Sequence, residues 1–204
     1  MRSTFVALTI ALAAAGLGAG VNAQMPGAAD ASRVQAGTYK TDANHTQVVW
    51  SVNHLGFSNL YGMFGAKSGT LTVDPKNPAA SKVSIEFAVD DMNTSSKQFG
   101  THLRSPDFFD AAKFPTATFV STSVQASGTS AKIMGNLTVH GVTKPVTLDA
   151  KLMGAGANPM SKAQTIGFTA TTTIKRSDFG LGMAAPAVSD DVMLHITAAF
   201  EKTA

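Results

Sequence analysis

The sequence predicts an all-β fold in which about eight antiparallel strands enclose a core, interrupted by one short helical insert. Three observations carry this. Apolar and polar residues alternate with period two in seven segments, the pattern of strands that turn one face toward a core. Short turn clusters separate the segments, with no helical spacing between most of them, so neighbouring strands should run antiparallel. A single stretch, from Asn93 to Lys113, loses the alternation.

Composition agrees with one domain. The chain has 204 residues, 44% hydrophobic and 14% charged, enough to bury a sizeable core. Phe outnumbers Tyr and Trp together, which excludes a disordered or coiled-coil chain. Cysteine is absent, and with it disulfides, thiol nucleophiles and thiolate metal sites. The net charge of +3 comes from Lys and Arg scattered singly, with Lys175-Arg176 the one adjacent pair. Nothing resembles a basic stripe interleaved with aromatics, so nucleic acid is not an expected partner.

In chain order, Met1-Arg2, the apolar run Phe5 to Leu17 and the small residues at Val21-Asn22-Ala23 predict a signal peptide over 1–23. The run is short for a bilayer, and Gly16, Gly18 and Gly20 weaken it as a retained anchor. Residues 24–36 are small, polar and without period, a flexible lead-in to a domain over 37–204. Val48, Trp50 and Val52, continued by His54, form the apolar face of the first clear strand. Leu71/Val73 and Val83/Ile85/Phe87/Val89 follow, separated by the turn cluster Asp74-Pro75-Lys76-Asn77-Pro78.

The helical insert is expected over about 94–112. Asn93 or Thr94 can cap a helix, and Phe99 and Leu103 fall four apart on one face. Ser105-Pro106-Asp107 has the residues of a second helix start, leading into Phe108-Phe109. Beyond it, Thr116 to Val124 is β-rich with apolar residues on both faces. The segments Ile133/Gly135/Leu137/Val139 and Val146/Leu148/Ala150/Leu152 are joined through His140-Gly141 closely enough for a hairpin. Ile166/Phe168/Ala170/Thr172/Ile174 and Val192/Leu194/Ile196/Ala198/Phe200 complete the set.

Such strands either close into a barrel or pack as a sandwich. Gly135, Ala150, Ala170 and Ala198 are small residues on otherwise bulky inward faces, and the insert can cover one open end. An eight-stranded barrel either fills with its own side chains or holds one ligand. Periodicity leaves both readings of the small residues open: room for a ligand, or fit to a tapering interior.

The motifs are more specific. Asp42-Ala43-Asn44-His45, Val52-Asn53-His54-Leu55-Gly56-Phe57 and Tyr61-Gly62-Met63-Phe64 resemble the opening of YceI-like proteins. So do His102 to Asp110 with Phe114-Pro115, Gly135 to Val139 followed by Gly141 to Val146, and Arg176-Ser177-Asp178-Phe179-Gly180. The likeness covers Gly37 to Lys202, although Trp50 stands where Phe is commoner. The resemblance implies an extended, lipocalin-like antiparallel barrel in the periplasm. It also implies an apolar lumen holding a polyisoprenoid or another long-chain amphiphile, without chemistry and without a cofactor. Transient membrane contact for lipid exchange, and a homodimer, are the further partners expected.

An apolar tunnel asks for aliphatic and aromatic walls, with polar groups only where a head group sits. Trp50, Phe57, Phe87, Leu103, Phe108, Phe109 and Phe168 are the expected lining, and His54 would stand in the wall as a hydrogen-bonding imidazole. Arg104 and Arg176 suit an anionic head group, or else a surface ion pair. Metal binding is not expected: His45 and His54 would point to opposite faces of an unbroken strand, and His140 and His195 fall in a turn and on a solvent face. Ser105 and Ser177 lie near acids, but neither sits in a Gly-x-Ser-x-Gly elbow. The paired acids Asp90-Asp91 and Asp190-Asp191 face opposite ways on a strand. No catalytic residue is therefore predicted. The alternatives are an enzyme acting on a lipid or quinone, and a stress-response module with a filled core.

Overall fold

A computed structural model describes residues 25–203, so the expected signal peptide over 1–23 lies outside the described residues. The strands are β1 (Gly37–Thr41), β2 (Gln47–His54), β3 (Ser58–Val73), β4 (Lys82–Ala88) and β5 (Asn93–Thr94). After helix α1 (Lys97–Arg104) come β6 (Thr116–Ser127), β7 (Ser130–Val139), β8 (Val142–Ala157), β9 (Gln164–Lys175) and β10 (Asp191–Lys202). All pairings are antiparallel. The order β10-β2-β3-β4-β6-β7-β8-β9 returns to β10 and closes an eight-strand barrel. Closure removes the sandwich alternative.

One wall is a strand in two pieces. β1 and β2 lie end to end between β10 and β3, with Tyr39 opposite Lys202 and Leu71, and Trp50 opposite Leu194 and Gly62. Asp42 breaks the strand because its carboxylate accepts the Asn44 N–H at 3.1 Å and starts a tight turn over Ala43–His45. The buried Thr46 hydroxyl repairs the ladder, accepting the Ala199 N–H at 3.0 Å and donating to the Ala199 carbonyl. Register shifts at Ala66/Ser68, Ser121/Ser123 and Leu152/Gly154 are bulges that curve the sheet toward closure.

The insert differs from expectation. Ser96, not Asn93 or Thr94, caps α1, its hydroxyl accepting the Phe99 N–H, because Asn93 and Thr94 are drawn into a pairing with β3. No second helix begins at Ser105. The chain reverses there, with the Phe109 N–H on Leu103 O and the Ala111 N–H on Arg104 O, which folds Phe108-Phe109 back against α1.

Residues 25–36, expected as a flexible lead-in, lie against the barrel instead. Ala28 and Ala155 exchange two backbone hydrogen bonds, and the Arg33 guanidinium donates to Pro26 O. Three buried clusters stack along the axis: Tyr39, Leu71, Ile166 and Phe200 at the end where the lead-in docks, Val48, Ile85, Phe87 and Phe119 at mid-height, and Trp50, Val52, Met92 and Leu103 beside α1. Val83 and Ile196 link the first pair of clusters, and Phe64 and Leu194 link the second.

Candidate ligand-binding lumen

The clusters line the barrel without filling it. A cavity of about 630 Å³ runs through all three levels, with walls that are almost wholly apolar. Near α1 it is bounded by Trp50, Phe64, Phe99, Leu103, Phe108 and Phe109, with Phe64 and Phe109 edge to face at 5.5 Å. Phe87, Phe119, Leu148 and Leu194 enclose its middle, and Leu152, Phe168 and Phe200 its far part. Charged and imidazole groups occur only toward the ends, His54, His102 and Arg176 at one and Asp74, Lys82 and Lys151 at the other, while the Thr172 hydroxyl borders the space beside Leu194. Ala150 and Ala170 face each other across β8 and β9 and both line the space.

Two glycines shape it by what they allow. Trp50 lies directly over Gly62 on the neighbouring strand, where a Cβ would fall 2.1 Å from the indole ring. Its Nε1–H is buried and finds no hydrogen-bond partner among the described residues. Gly135 does not leave room for a ligand as its small size suggests. A Cβ there would meet the Phe119 ring at 2.4 Å, so the missing side chain accommodates an aromatic of the wall itself.

Of the expected lining, Trp50, His54, Phe87, Leu103, Phe108, Phe109 and Phe168 border the cavity. Phe57 does not. It is 89% exposed on the tip Leu55-Gly56-Phe57 between β2 and β3, because the chain turns after His54 and carries the ring beyond the end of the barrel wall. Arg104 also stands apart from the lumen: its guanidinium donates to Asp90 O at 2.9 Å and Met92 O at 2.5 Å, fastening α1 to the preceding loop.

Arg176 borders the cavity but is neither an exposed ion pair nor free to grip a head group. Only 8% exposed, it donates to the carbonyls of Leu181, Met183 (2.7 Å), Val188 (2.8 Å) and Ser189 (2.9 Å). Four carbonyls thus solvate a buried cation and knit the 176–190 loop around it. Beside it, the Ser177 N–H and O–H both donate to Asp190 and hold that carboxyl below the usual carboxylate range. The hydroxyls of both serines considered for catalysis are engaged, Ser177 with Asp190 and Ser105 with His102 O at 2.7 Å. His45 pairs with Asp42 at 2.6 Å, His140 contacts Phe179 O, and His195 is exposed. Among the described residues no three His, Asp or Glu side chains gather as a metal would require. Phe64 and Phe119 are wall residues that the sequence reading did not pick out, and Phe99, expected in the covering insert, also borders the lumen. Phe119 was hidden by a segment apolar on both faces, whereas Phe64 lay in a quoted motif.

A closed antiparallel barrel around a continuous apolar lumen defines a binding barrel. Residues 39–200 match the YceI-like domain, and the chain belongs to the YceI-like family. It is 43% identical over 166 residues to a UPF0312 protein of Pseudomonas aeruginosa, covering 80% of this chain and 86% of that one. It is 44% identical over 164 residues to Protein YceI of Salmonella arizonae, covering 79% and 85%. Among solved structures, the Campylobacter jejuni YCEI protein is similar with a TM-score of 0.64 and 30% identity, covering 74% of this chain and 90% of that one. A polyisoprenoid binding domain from Saccharophagus degradans shares the fold, with a TM-score of 0.61 at 12% identity, covering 83% and 100%.

Proposed function

We propose that this protein is a periplasmic carrier that holds one polyisoprenoid, or another long-chain amphiphile, in its lumen without altering it. The observation that carries the reading is the long cavity itself, almost wholly apolar along its length and with charged groups only toward its ends. Each CH₂ moved from water into such a space gains roughly 0.8 kcal/mol, so a long tail is held tightly with little polar recognition. A preformed tunnel also spares the ordering that a collapsible site would require. The family supports this ligand class through the polyisoprenoid binding domain that shares the fold. The signal-peptide pattern over 1–23 supports export to the periplasm. The aromatic insert Phe99 to Phe109 borders the lumen at one end, and the buried indole N–H of Trp50 is a spare donor beside it.

Two substitutions separate open lumen from packed wall. Ala170→Leu projects new methyls into open space and should abolish most geranylgeraniol uptake while leaving the denaturation midpoint nearly unchanged. Gly135→Leu drives into Phe119 and should destabilise by about 1–3 kcal/mol, as overpacking does. Equal loss of stability in both would mean that the lumen is filled.

A further inference from the structure

We infer that the mouth beside α1 is a membrane-docking surface, with the tip Leu55-Gly56-Phe57 as its inserting element and a phospholipid bilayer as its partner. This rests on the carrier reading, since a long-chain amphiphile is nearly insoluble and must pass between the lumen and another apolar phase.

Two hairpin turns at this end of the barrel make the case by contrast. Both carry two successive residues in the left-handed region: His140 (φ 51°) and Gly141 (φ 73°), and Leu55 (φ 57°) and Gly56 (φ 74°). Such turns favour Asn, Asp or Gly at both places. The first is tucked in, with Phe114 packed over Gly141 and His140. The second places Leu, a residue that gains nothing from this conformation, at 51% exposure, and follows it with Phe57 at 89%. The structure holds a strained apolar tip out in solvent.

That tip is also braced. The Leu55 N–H donates to Ala187 O at 2.9 Å, the Gly56 N–H to Asn53 Oδ1 at 2.8 Å, and the Ser189 N–H to Asn53 O at 2.9 Å. The 181–189 segment is the one that Arg176 clamps, so a buried cation positions the tip. Around it, Met183 is exposed and borders the lumen, and Tyr61 and Met193 are exposed on either side of Ser51 on neighbouring strands. The apolar rim therefore continues into the cavity through His54, Met183 and Val188.

The occupant is a bilayer and not a second copy. A stable dimer needs about 800 Å² per partner, whereas this is a narrow projection led by one phenyl ring. A wedge of Leu, Phe, Tyr and Met matches the boundary between head groups and acyl chains. The charges beside the rim are largely paired, Lys175 with Asp191 at 2.9 Å on the strand pair that carries Met193 and Asp190 with Ser177, so binding should depend little on salt.

The test is cosedimentation of the protein with vesicles of phosphatidylethanolamine and phosphatidylglycerol, alongside geranylgeraniol titration read by Trp50, the single tryptophan of the chain. Phe57→Ser with Leu55→Asn should weaken vesicle partitioning roughly tenfold or more. Direct geranylgeraniol uptake should stay unchanged, and the melting temperature should hold or rise, because Asn suits the left-handed position. Met160→Ser, which removes a side chain 90% exposed at the opposite end, should change neither. Wild-type partitioning by the double variant, steep salt dependence, or self-association that the double variant abolishes would overturn the proposal. Failure of geranylgeraniol uptake with vesicle binding intact would instead overturn the carrier reading.

Discussion

The two ends of the barrel are built from opposite materials. Beside α1 the lumen is bordered by Trp50, Phe99, Phe108 and Phe109 along with His54 and His102, and Leu55, Phe57, Tyr61 and Met183 are exposed around it. At the other end the bordering residues include Asp74, Pro75, Lys82 and Lys151, and the lead-in lies across the wall through the Ala28–Ala155 pairing. The means of support differ too. The far end is held by backbone pairing and by the fully buried Tyr39, whose hydroxyl donates to Gln35 O at 2.8 Å. The α1 end is irregular and is held by side chains, Arg104 fastening α1 to the preceding loop and the buried Arg176 knitting the 176–190 loop. A polar end tolerates water and needs no special scaffold. An apolar end made of loops must be braced from inside or its side chains would collapse into the lumen.

That contrast breaks most visibly at Arg176. Arg176→Met keeps the apolar stem but leaves four carbonyls without their donor, and should destabilise by about 3 kcal/mol, measured as a lower denaturant midpoint. Arg176→Lys should rescue only partly, because an ammonium cannot span the fork of acceptors. Little or no loss in the Met variant would mean that the loop is held by other contacts and that the two ends are alike.

A smaller effect comes from pH. Two hydrogen bonds from Ser177 lower the folded-state pKa of Asp190, so its contribution to stability is present above the ordinary carboxylate range. It is lost as pH falls through the depressed folded value. Wild type should therefore exceed Asp190→Asn in stability at neutral pH, with the gap closing in acid. A gap that persists at low pH would show that the carboxylate charge is not what holds Ser177.

Much of this was legible in the sequence, and the exceptions are instructive. Period-two alternation identified the lumen face of β9 and β10 residue by residue, because a barrel wall has one wet side and one apolar side. The YceI-like motifs identified the family. Phe57 was misassigned because it was chosen as a bulky aromatic and not by its place in the alternation, which ends at His54 before the turn. Arg176 was misread for a related reason: beside Lys175 it looks like a surface charge, and its acceptors lie in a loop with no period. Periodicity left Gly135 open between room for a ligand and fit to the interior; the second holds, because Phe119 fills the place from a different strand, a contact that spacing along one strand cannot reveal. The division of one wall between β1 and β2 was equally hidden, since it depends on a turn that Asp42 makes with its own backbone.

A carrier of this kind must have its tunnel occupied by a long-chain amphiphile in the living cell. The most direct measurement is mass spectrometry of an organic extract from natively purified protein, with the ligand quantified per chain. The account predicts one dominant long-chain species at close to one molecule per chain. An empty extract, together with delipidated protein that takes up no geranylgeraniol, would contradict it.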